Sequence, residues 1–331
     1  MNIGLAVLGA GRIGRVHARA ISQVGGARLV AVADAFEEAA RALGAEHGAQ
    51  VRDIDTILAA ADVDAVVICT PTDTHAELIE RAARAGKAIF CEKPIDLDAT
   101  RARACLQVVE ETGARLMVGF NRRFDPHFRA LKEAIGAGRI GEVEMITITS
   151  RDPGPPPAEY IHSSGGIFKD MTIHDFDMAR FLLGEEVTSV MARASVLVDP
   201  AIGECGDFDS ASAILTTASG RQCLISNSRR AVYGYDQRIE VHGSAGMVQA
   251  MNQREADIEV ATAEGFTRPP LLDFFMTRYT AAYAAEIAGF IAALSAGAEM
   301  SPGGEDGLRA LLIAEAAQRS VKEGRAVTVD V

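Results

Sequence analysis

The sequence lacks closely spaced cysteines, an excess of basic charge and an apolar run long enough to cross a membrane. Its five cysteines (Cys69, Cys91, Cys105, Cys205 and Cys223) are scattered and include no C-x-x-C pair. This spacing argues against a disulfide framework or a zinc site, and it predicts free thiols in a cytoplasmic protein. The formal net charge of −12 disfavours nucleic acid or an anionic membrane as a partner. We therefore expect a small-molecule partner.

The amino-terminal segment has no basic stretch before its apolar run, and Gly9 and Gly11 interrupt that run well short of a bilayer span. Neither a signal peptide nor a membrane anchor is expected. The chain has 331 residues, of which 48% are hydrophobic. This length is typical of about two domains, each large enough to bury its own core.

Up to about residue 120, short apolar runs alternate with segments that have helical periodicity. This alternation predicts an α/β domain over residues 1–120 with a doubly wound parallel sheet, covered on both faces by helices. The predicted strands are Ile3–Leu8, Leu29–Ala33, Ala65–Cys69, Ala88–Phe90 and Leu116–Val118, and the predicted helices are Arg12–Val24, Phe36–His47, Thr56–Ala61, His75–Ala85 and Ala99–Thr112.

Residues 121–331 have a different pattern, with several strand-like segments in succession. Strands without intervening helices predict an α+β domain with a largely antiparallel sheet, one face of which stays open for self-association. Pro153–Gly166 has no clear periodicity and is a candidate active-site loop or a rigid surface loop. The predicted strands are Val143–Ser150, Val187–Val198, Ser210–Thr217, Arg221–Arg229, Gln237–His242, Met247–Ala250 and Asp257–Ala261, and the predicted helices are Pro126–Ala137, Ile173–Leu183, Tyr279–Leu294 and Leu308–Val321.

A glycine motif, Gly9-Ala-Gly11-Arg-Ile-Gly14, joins the first predicted strand to the first predicted helix. In this context a G-x-G-x-x-G sequence holds a pyrophosphate at the helix N-terminus, although a glycine-rich turn without a ligand is the alternative. Asp34 ends the second predicted strand, where a carboxylate accepts ribose hydroxyls and repels a 2′-phosphate. These residues predict NAD in preference to NADP, provided that Arg41 does not reach the same site.

Two further motifs carry reactive side chains. Glu92-Lys93-Pro94 follows a predicted strand at the carboxyl edge of the parallel sheet, where open α/β folds bind ligands. Only five of the 33 basic residues are lysines, so an ammonium group at this edge is informative. Asp170 and His174 lie four residues apart at a predicted helix start, on one helical face, where a carboxylate orients an imidazole as a general base. An ordinary helix-capping arrangement is the alternative.

Together these motifs resemble those of the glucose–fructose oxidoreductase/inositol dehydrogenase/MocA-type family, and the resemblance covers nearly the whole chain. It rests on the glycine motif, Asp34, Glu92-Lys93-Pro94 and the spacing from Asp170 to His174. Within the family, the runs Asn121-Arg-Arg-Phe-Asp and Ile-His174-Asp-Phe-Asp-Met-Ala-Arg resemble those of the inositol dehydrogenases.

The resemblance implies a Rossmann domain, a second domain for substrate binding and oligomerisation, and a homotetramer. It implies oxidation of a cyclitol ring hydroxyl to a ketone, most simply myo-inositol to 2-keto-myo-inositol, with hydride transfer to NAD. It places the catalytic lysine at Lys93, the catalytic aspartate at Asp170 and the catalytic histidine at His174. In the implied mechanism His174 removes the hydroxyl proton, Asp170 supports the imidazolium, and Lys93 steadies the alkoxide.

The expected site residues form two groups. Cofactor binding is expected at Gly9, Gly11, Arg12, Ile13, Gly14, Asp34, Thr70, Pro71, Glu92 and Lys93. Substrate binding is expected at Asn121, Arg123, Arg151, His162, Asp170, His174 and Tyr235, and no metal site is expected. Two alternatives remain open: the same chemistry on another polyol or sugar (scyllo-inositol, chiro-inositol, an aldose or an anhydrosugar), and a nucleotide-binding sensor without turnover.

Overall fold

A computed structural model describes residues 2–330 of the chain. It contains two units: the part up to Phe124 together with Ala281–Leu311, and Asp125–Thr280 together with the part from Leu312 onwards. The sequence pattern suggests a single boundary after residue 120. The first unit takes in a later segment as well, because Ile287 and Phe290 pack into the hydrophobic core around the first strands.

Six parallel strands form the sheet of the first unit. They are β1 (Ile3–Leu8), β2 (Ala27–Ala33), β3 (Gln50–Val51), β4 (Ala65–Ile68), β5 (Ala88–Glu92) and β6 (Leu116–Gly119), and the helices between them are α1 (Arg12–Gln23), α2 (Glu37–His47), α3 (Ile54–Ala59), α4 (His75–Arg84) and α5 (Ala99–Thr112). The strand order is β3-β2-β1-β4-β5-β6. The predicted doubly wound parallel sheet is confirmed, with the two-residue β3 as an additional strand.

Local sequence explains these elements. Every residue of β4 and β6 is buried, as in a sheet covered on both faces. Asp98 caps α5 by accepting a hydrogen bond from the backbone of Arg101, and Gly113 ends the same helix in the left-handed conformation. The order reverses between β1 and β4, and the carboxyl ends of strands at such a switch point are where open α/β sheets bind ligands.

The second unit contains a seven-stranded sheet. Its strands are β7 (Val143–Arg151), β8 (Val187–Ser195), β9 (Ser210–Thr217), β10 (Gln222–Ser228), β11 (Asp236–Gly243), β12 (Gly246–Ala250) and β15 (Val327–Thr328). Their order in the sheet is β12-β11-β7-β10-β9-β8-β15. The prediction of a largely antiparallel sheet is confirmed, but β7 and β10 pair in parallel. The succession of strands could not reveal this pair, because three α-helices and two strands separate its members along the chain.

The remaining α-helices and strands of residues 2–330 are α6 (Pro126–Gly136), α7 (Ala158–Ser164), α8 (Ile173–Leu183), α9 (Pro200–Glu204), β13 (Val260–Thr262), β14 (Gly265–Thr267), α10 (Phe275–Arg278), α11 (Thr280–Ala296) and α12 (Gly304–Glu323). Two expectations need correction. The loop Pro153–Gly166 contains α7, and the strand expected at Asp257–Ala261 is the short β13 in a separate hairpin with β14. No helix in residues 2–330 combines the length and the apolar character needed to span a membrane.

Candidate active site

The glycine motif forms a cradle at the start of α1. A Cβ atom on Gly9, whose φ is 100°, would lie 2.6 Å from the carbonyl oxygen of Cys69, and one on Gly14 would lie 1.9 Å from that of Gly9. Both positions therefore require glycine. Gly11 has no heavy atom within 4 Å of its Cβ position, so the space in front of the first-turn N–H groups of α1 is open. This open helix N-terminus, which begins at Arg12 and Ile13, fits the pyrophosphate of a dinucleotide.

Asp34 lies directly beside this cradle. Its Oδ2 accepts a hydrogen bond from the backbone N–H of Ala10 at 2.6 Å, and its Oδ1 accepts one from that of Phe36 at 2.8 Å. The guanidinium of Arg41 instead pairs with Glu37 at 2.5 Å, one helical turn away. A carboxylate held here without an arginine partner fits an adenosine ribose better than a ribose 2′-phosphate.

The loops after β4 and β5 are joined by His75, which sequence reasoning missed. Its Nε2 lies 2.8 Å from the carbonyl oxygen of Thr70, and its Nδ1 lies 2.7 Å from that of Pro94. Thr70 also packs against Gly9, because a Cβ there would be 2.8 Å from the Thr70 nitrogen. The ring therefore holds the Thr70–Pro71 segment and the Lys93–Pro94 peptide, which is cis, in a fixed arrangement.

Glu92 is placed differently from its expected role at the cofactor. Its side chain is buried, and its Oε1 lies 2.6 Å from Nε2 of His17, in the middle of α1. Because the Glu92 side chain is engaged with His17, only the Glu92 backbone is left to contact the cofactor. The sequence cannot reveal this difference between Glu92 and the half-buried Lys93, because it does not show which of two neighbouring residues at a strand end points into the core.

Two substrate candidates follow β6 in a short 3₁₀ turn, Asn121–Phe124. Asn121 is buried there. The guanidinium of Arg123 donates a hydrogen bond to Asp306 at 2.8 Å, and its side chain is only 9% exposed. The structure therefore uses Arg123 in an ion pair within the first unit, which differs from the substrate contact expected for it.

The second unit positions Asp170 and His174 on a distorted helix start. Asp170 lies in a π-helical turn, Phe168–Thr172, and His174 follows in the first turn of α8. π-Helical turns are rare in proteins, and those that occur are often found at functional sites. The fully buried Asp175 accepts hydrogen bonds from Ser150 on β7 at 2.6 Å and from Asn227 on β10 at 2.7 Å. These bonds fix the start of α8 on the sheet.

The Asp170 carboxylate is held by two donors that sequence reasoning missed. The hydroxyl of Tyr160 donates to Oδ1 at 2.7 Å, and both Nη atoms of Arg229 lie 3.2 Å from Oδ2. Arg229 is almost fully buried and also lies 3.9 Å from Asp207. The buried guanidinium of Arg229 is thus shared between the carboxylates of Asp170 and Asp207 and holds Asp170 in place. Tyr160 is on α7 and Arg229 follows β10, so only the tertiary fold brings them to Asp170.

The other substrate candidates of this unit are spread out. Arg151 lies on the sheet face opposite to Ser150 and α8, where its guanidinium bonds to the hydroxyl of Tyr233 at 2.9 Å. The structure thus does not bring Arg151 to the face that carries His174. His162 is exposed, with Nε2 3.5 Å from Sγ of Cys205, and Tyr235 is buried with its ring packed edge-on against two aromatic rings. Within residues 2–330, no group of three or more His, Cys, Asp or Glu side chains is placed to hold a metal ion.

Each of the two units contains a segment that matches a known protein family. Residues 3–120 match the oxidoreductase family with an NAD-binding Rossmann fold, and residues 128–249 match the GFO/IDH/MocA C-terminal domain. The chain is 69% identical to the inositol 2-dehydrogenase of Rhizobium meliloti (strain 1021), over 99% of this chain and 100% of the relative.

Two solved structures have the same fold along the whole chain. A myo-inositol dehydrogenase from Corynebacterium glutamicum superimposes with a TM-score of 0.96 at 42% identity and covers 100% of both chains. A myo-inositol dehydrogenase from Lactobacillus casei, in complex with NAD(H) and myo-inositol, has a TM-score of 0.88 at 27% identity, covering 100% of this chain and 98% of the other. The chain therefore belongs to the GFO/IDH/MocA family of NAD-binding oxidoreductases.

Proposed function

We propose that this protein is an NAD-dependent dehydrogenase that oxidises one ring hydroxyl of myo-inositol to a ketone. The observation that carries the proposal is its 69% identity, over 99% of the chain, to an inositol 2-dehydrogenase. The open glycine cradle, Asp34 and the held Asp170 carboxylate supply groups that this chemistry needs. The C-terminal match adds a domain of the same family.

The first unit is proposed to bind NAD. The N–H groups at the start of α1, including those of Arg12 and Ile13, hold the pyrophosphate, and Asp34 accepts the adenosine ribose hydroxyls. Thr70, Pro71 and Lys93 lie on the two loops that His75 joins, and we assign these loops to the nicotinamide half. When bound, NAD supplies the nicotinamide C4 that accepts a hydride.

His174 is proposed as the general base. It takes the proton of the substrate hydroxyl while the hydrogen on the same carbon departs with its electron pair, and the C–O single bond becomes a carbonyl. Asp170 is proposed to stabilise the imidazolium that results. Tyr160 and Arg229 hold the Asp170 carboxylate, so they are positioning residues in this scheme.

Lys93 is proposed to stabilise the negative charge that develops on the substrate oxygen, through its ammonium group. Asn121, His162 and Tyr235 are proposed as partners of the remaining ring hydroxyls. The guanidinium of Arg123 bonds to Asp306 and that of Arg151 bonds to Tyr233, so no direct substrate contact is proposed for either arginine.

A homotetramer in the cytoplasm is proposed for the assembled enzyme. Exposed apolar side chains on the open face of the second sheet, among them Met145, Ile214 and Leu224, support self-association through that face. A cytoplasmic location is supported by the use of NAD and by five cysteines that are all free thiols.

The test is direct. Purified protein is mixed with NAD or NADP and with myo-inositol, scyllo-inositol, chiro-inositol or glucose, and the absorbance of the reduced nicotinamide is followed. We expect reduction with NAD that is fastest with myo-inositol. Faster turnover of another compound of the panel would identify that compound as the preferred substrate and leave the proposed mechanism unchanged. No turnover across the panel, with NAD binding intact by calorimetry, would contradict the proposal.

A further inference from the structure

A buried hydrogen-bonded pair joins the cofactor-binding helix to the strand that precedes Lys93. His17 lies on α1, three residues after Gly14, and is completely buried. Its Nε2 lies 2.6 Å from Oε1 of Glu92, the last residue of β5. The next residue is Lys93. A single side-chain contact therefore connects the helix that forms the glycine cradle with the backbone that carries the ammonium group.

The surroundings of this pair leave it little freedom. A Cβ on Gly119, at the end of β6, would lie 3.0 Å from Oε2 of Glu92, so glycine at this position makes room for the carboxylate. The His17 ring packs edge-on against Phe90 at 4.9 Å and Tyr283 at 5.6 Å between ring centroids. The imidazole is thus fixed by aromatic rings on two sides, and the carboxylate is fixed by a strand.

Stability alone is a poor reason for such a pair. Polar groups in an apolar core lose hydration, and apolar residues of similar volume often give equal or greater stability in the same place. The neighbouring core consists of apolar residues such as Ala18, Phe90 and Phe290. What the pair supplies, and an apolar pair does not, is one defined distance between α1 and the end of β5.

A third ionisable residue lies in the same core. Glu286 on α11 is fully buried, and neither of its carboxylate oxygens has a hydrogen-bond partner among residues 2–330. Burial, followed by the nearby negative charge of Glu92, raises the pKa of the Glu286 carboxyl well above its ordinary range. Burial thus disfavours a second negative charge at Glu286 beside the pair.

We propose that His17 and Glu92 are positioning residues, which hold Lys93 at a fixed place relative to the dinucleotide cradle. The inference rests on the proposed function for the role of Lys93 in turnover. It predicts that replacing the pair displaces Lys93 relative to the dinucleotide cradle more than it lowers the stability of the protein. Two variants separate these effects: Glu92→Gln, whose amide oxygen still accepts a hydrogen bond from Nε2, and the double variant His17→Leu/Glu92→Leu, which removes the pair without leaving one partner alone.

The first experiment compares stability with turnover. The single variants His17→Leu and Glu92→Leu are expected to melt at lower temperature than the double variant, because each leaves one buried polar group without its partner. The double variant is expected to recover most of the melting temperature while its kcat stays lower by about tenfold or more. Glu92→Gln is expected to keep most of the wild-type kcat. In a Lys93→Ala background the double substitution should cause no further loss of kcat.

The second experiment needs no turnover. Reductive ¹³C-methylation of the five lysines gives few NMR signals, and Lys93→Arg identifies the signal of Lys93. The double variant is expected to shift or broaden that signal, with and without NAD, while the signal of the exposed Lys322 stays unchanged. Arg52→Gln/Asp62→Asn, which removes an ion pair of the same unit at its surface, serves as the matched control and should leave both signals unchanged.

The two readouts distinguish the possible failures. A wild-type protein without turnover on the inositol panel would contradict the proposed function, and the Lys93 signal would still test the positioning role. An active wild-type enzyme whose double variant keeps both its kcat and its Lys93 signal would overturn the positioning role alone.

Discussion

Oδ2 of Asp34 accepts a hydrogen bond from the backbone N–H of Ala10 at 2.6 Å. Ala10 lies inside the glycine motif, so this bond joins the carboxylate proposed for the ribose to the loop proposed for the pyrophosphate. The two parts of the cofactor site are thereby built as one rigid element. Phe36 adds a second backbone donor to the same carboxylate. The charge of Asp34 is therefore held in place before any cofactor arrives.

Asp34→Asn should relax the preference for NAD. The amide oxygen can still accept a backbone hydrogen bond, but the negative charge that repels a 2′-phosphate is gone. We expect the ratio of kcat/KM for NAD to that for NADP to fall by about tenfold or more. Steady-state kinetics with NAD and with NADP measures this ratio. Glu38→Gln, an exposed charge change on α2, is the control. An unchanged ratio in Asp34→Asn would show that this carboxylate does not select the cofactor.

His174→Ala should abolish most turnover without preventing cofactor binding. Loss of a general base typically costs about 10²- to 10⁴-fold in rate, and we expect a fall in kcat of at least about 10²-fold. Calorimetry should give an NAD affinity close to that of the wild type. His127→Ala, on the exposed side of α6, should keep wild-type kinetics. Near-normal turnover of His174→Ala would contradict the assignment of His174 as the general base.

Tyr160→Phe should lower turnover while leaving the fold intact. The substitution removes one of the donors that hold Asp170, and Tyr160 is 47% exposed, so the melting temperature should change little. We expect kcat to fall by roughly three- to tenfold, as for loss of one hydrogen bond to a charged group. Tyr233→Phe is the matched control, because the Tyr233 hydroxyl also donates to a carboxylate, that of Asp236. Equal effects of the two substitutions on kcat would contradict a positioning role for Tyr160.

The strand, turn and helix around the glycine motif could be predicted from the sequence because they are linked by local geometry. Gly9, Gly14 and Asp34 occupy fixed places in a strand, turn and helix, and backbone atoms lie where a Cβ atom of Gly9 or Gly14 would be. The parallel sheet followed from periodicity for the same reason. Such local patterns need no knowledge of which distant segments meet.

Contacts between distant segments could not be predicted in this way. Tyr160 and Arg229 reach Asp170 from different elements, and His75 joins two loops through backbone carbonyls that leave no mark on the sequence. Arg151 was expected at the substrate because of its residue type. Strand alternation, once the register of β7 is known, turns it to the opposite face.

The open face of the second sheet should carry the subunit interface. Leu224 and Ile214 are direct cross-strand neighbours on β10 and β9, and they are 36% and 45% exposed. We expect wild-type protein to be a tetramer by light scattering at micromolar concentration, and Ile214→Lys/Leu224→Lys to dissociate it, because buried lysines would lack partners. Val51→Lys, at an exposed apolar position of the first unit, is the control. A wild-type monomer, or a tetramer in the double variant, would contradict this interface.

Glu286→Gln should make the protein more stable, and more so as the pH rises. In the unfolded chain the carboxyl ionises near its ordinary value of 4.5, whereas burial raises its pKa in the folded chain. Above pH 4.5 the unfolded state thus releases a proton that the folded state retains, so wild-type stability falls as the pH rises until the folded pKa is reached. The glutamine side chain of Glu286→Gln cannot ionise, so the variant does not lose stability in this way as the pH rises. Melting temperatures of the two proteins should nearly coincide at about pH 4.5 and diverge toward pH 8, whereas Glu110→Gln, at an exposed position of α5, should show no such divergence. A constant difference between Glu286→Gln and the wild type across this range would mean that Glu286 is ionised in the folded protein.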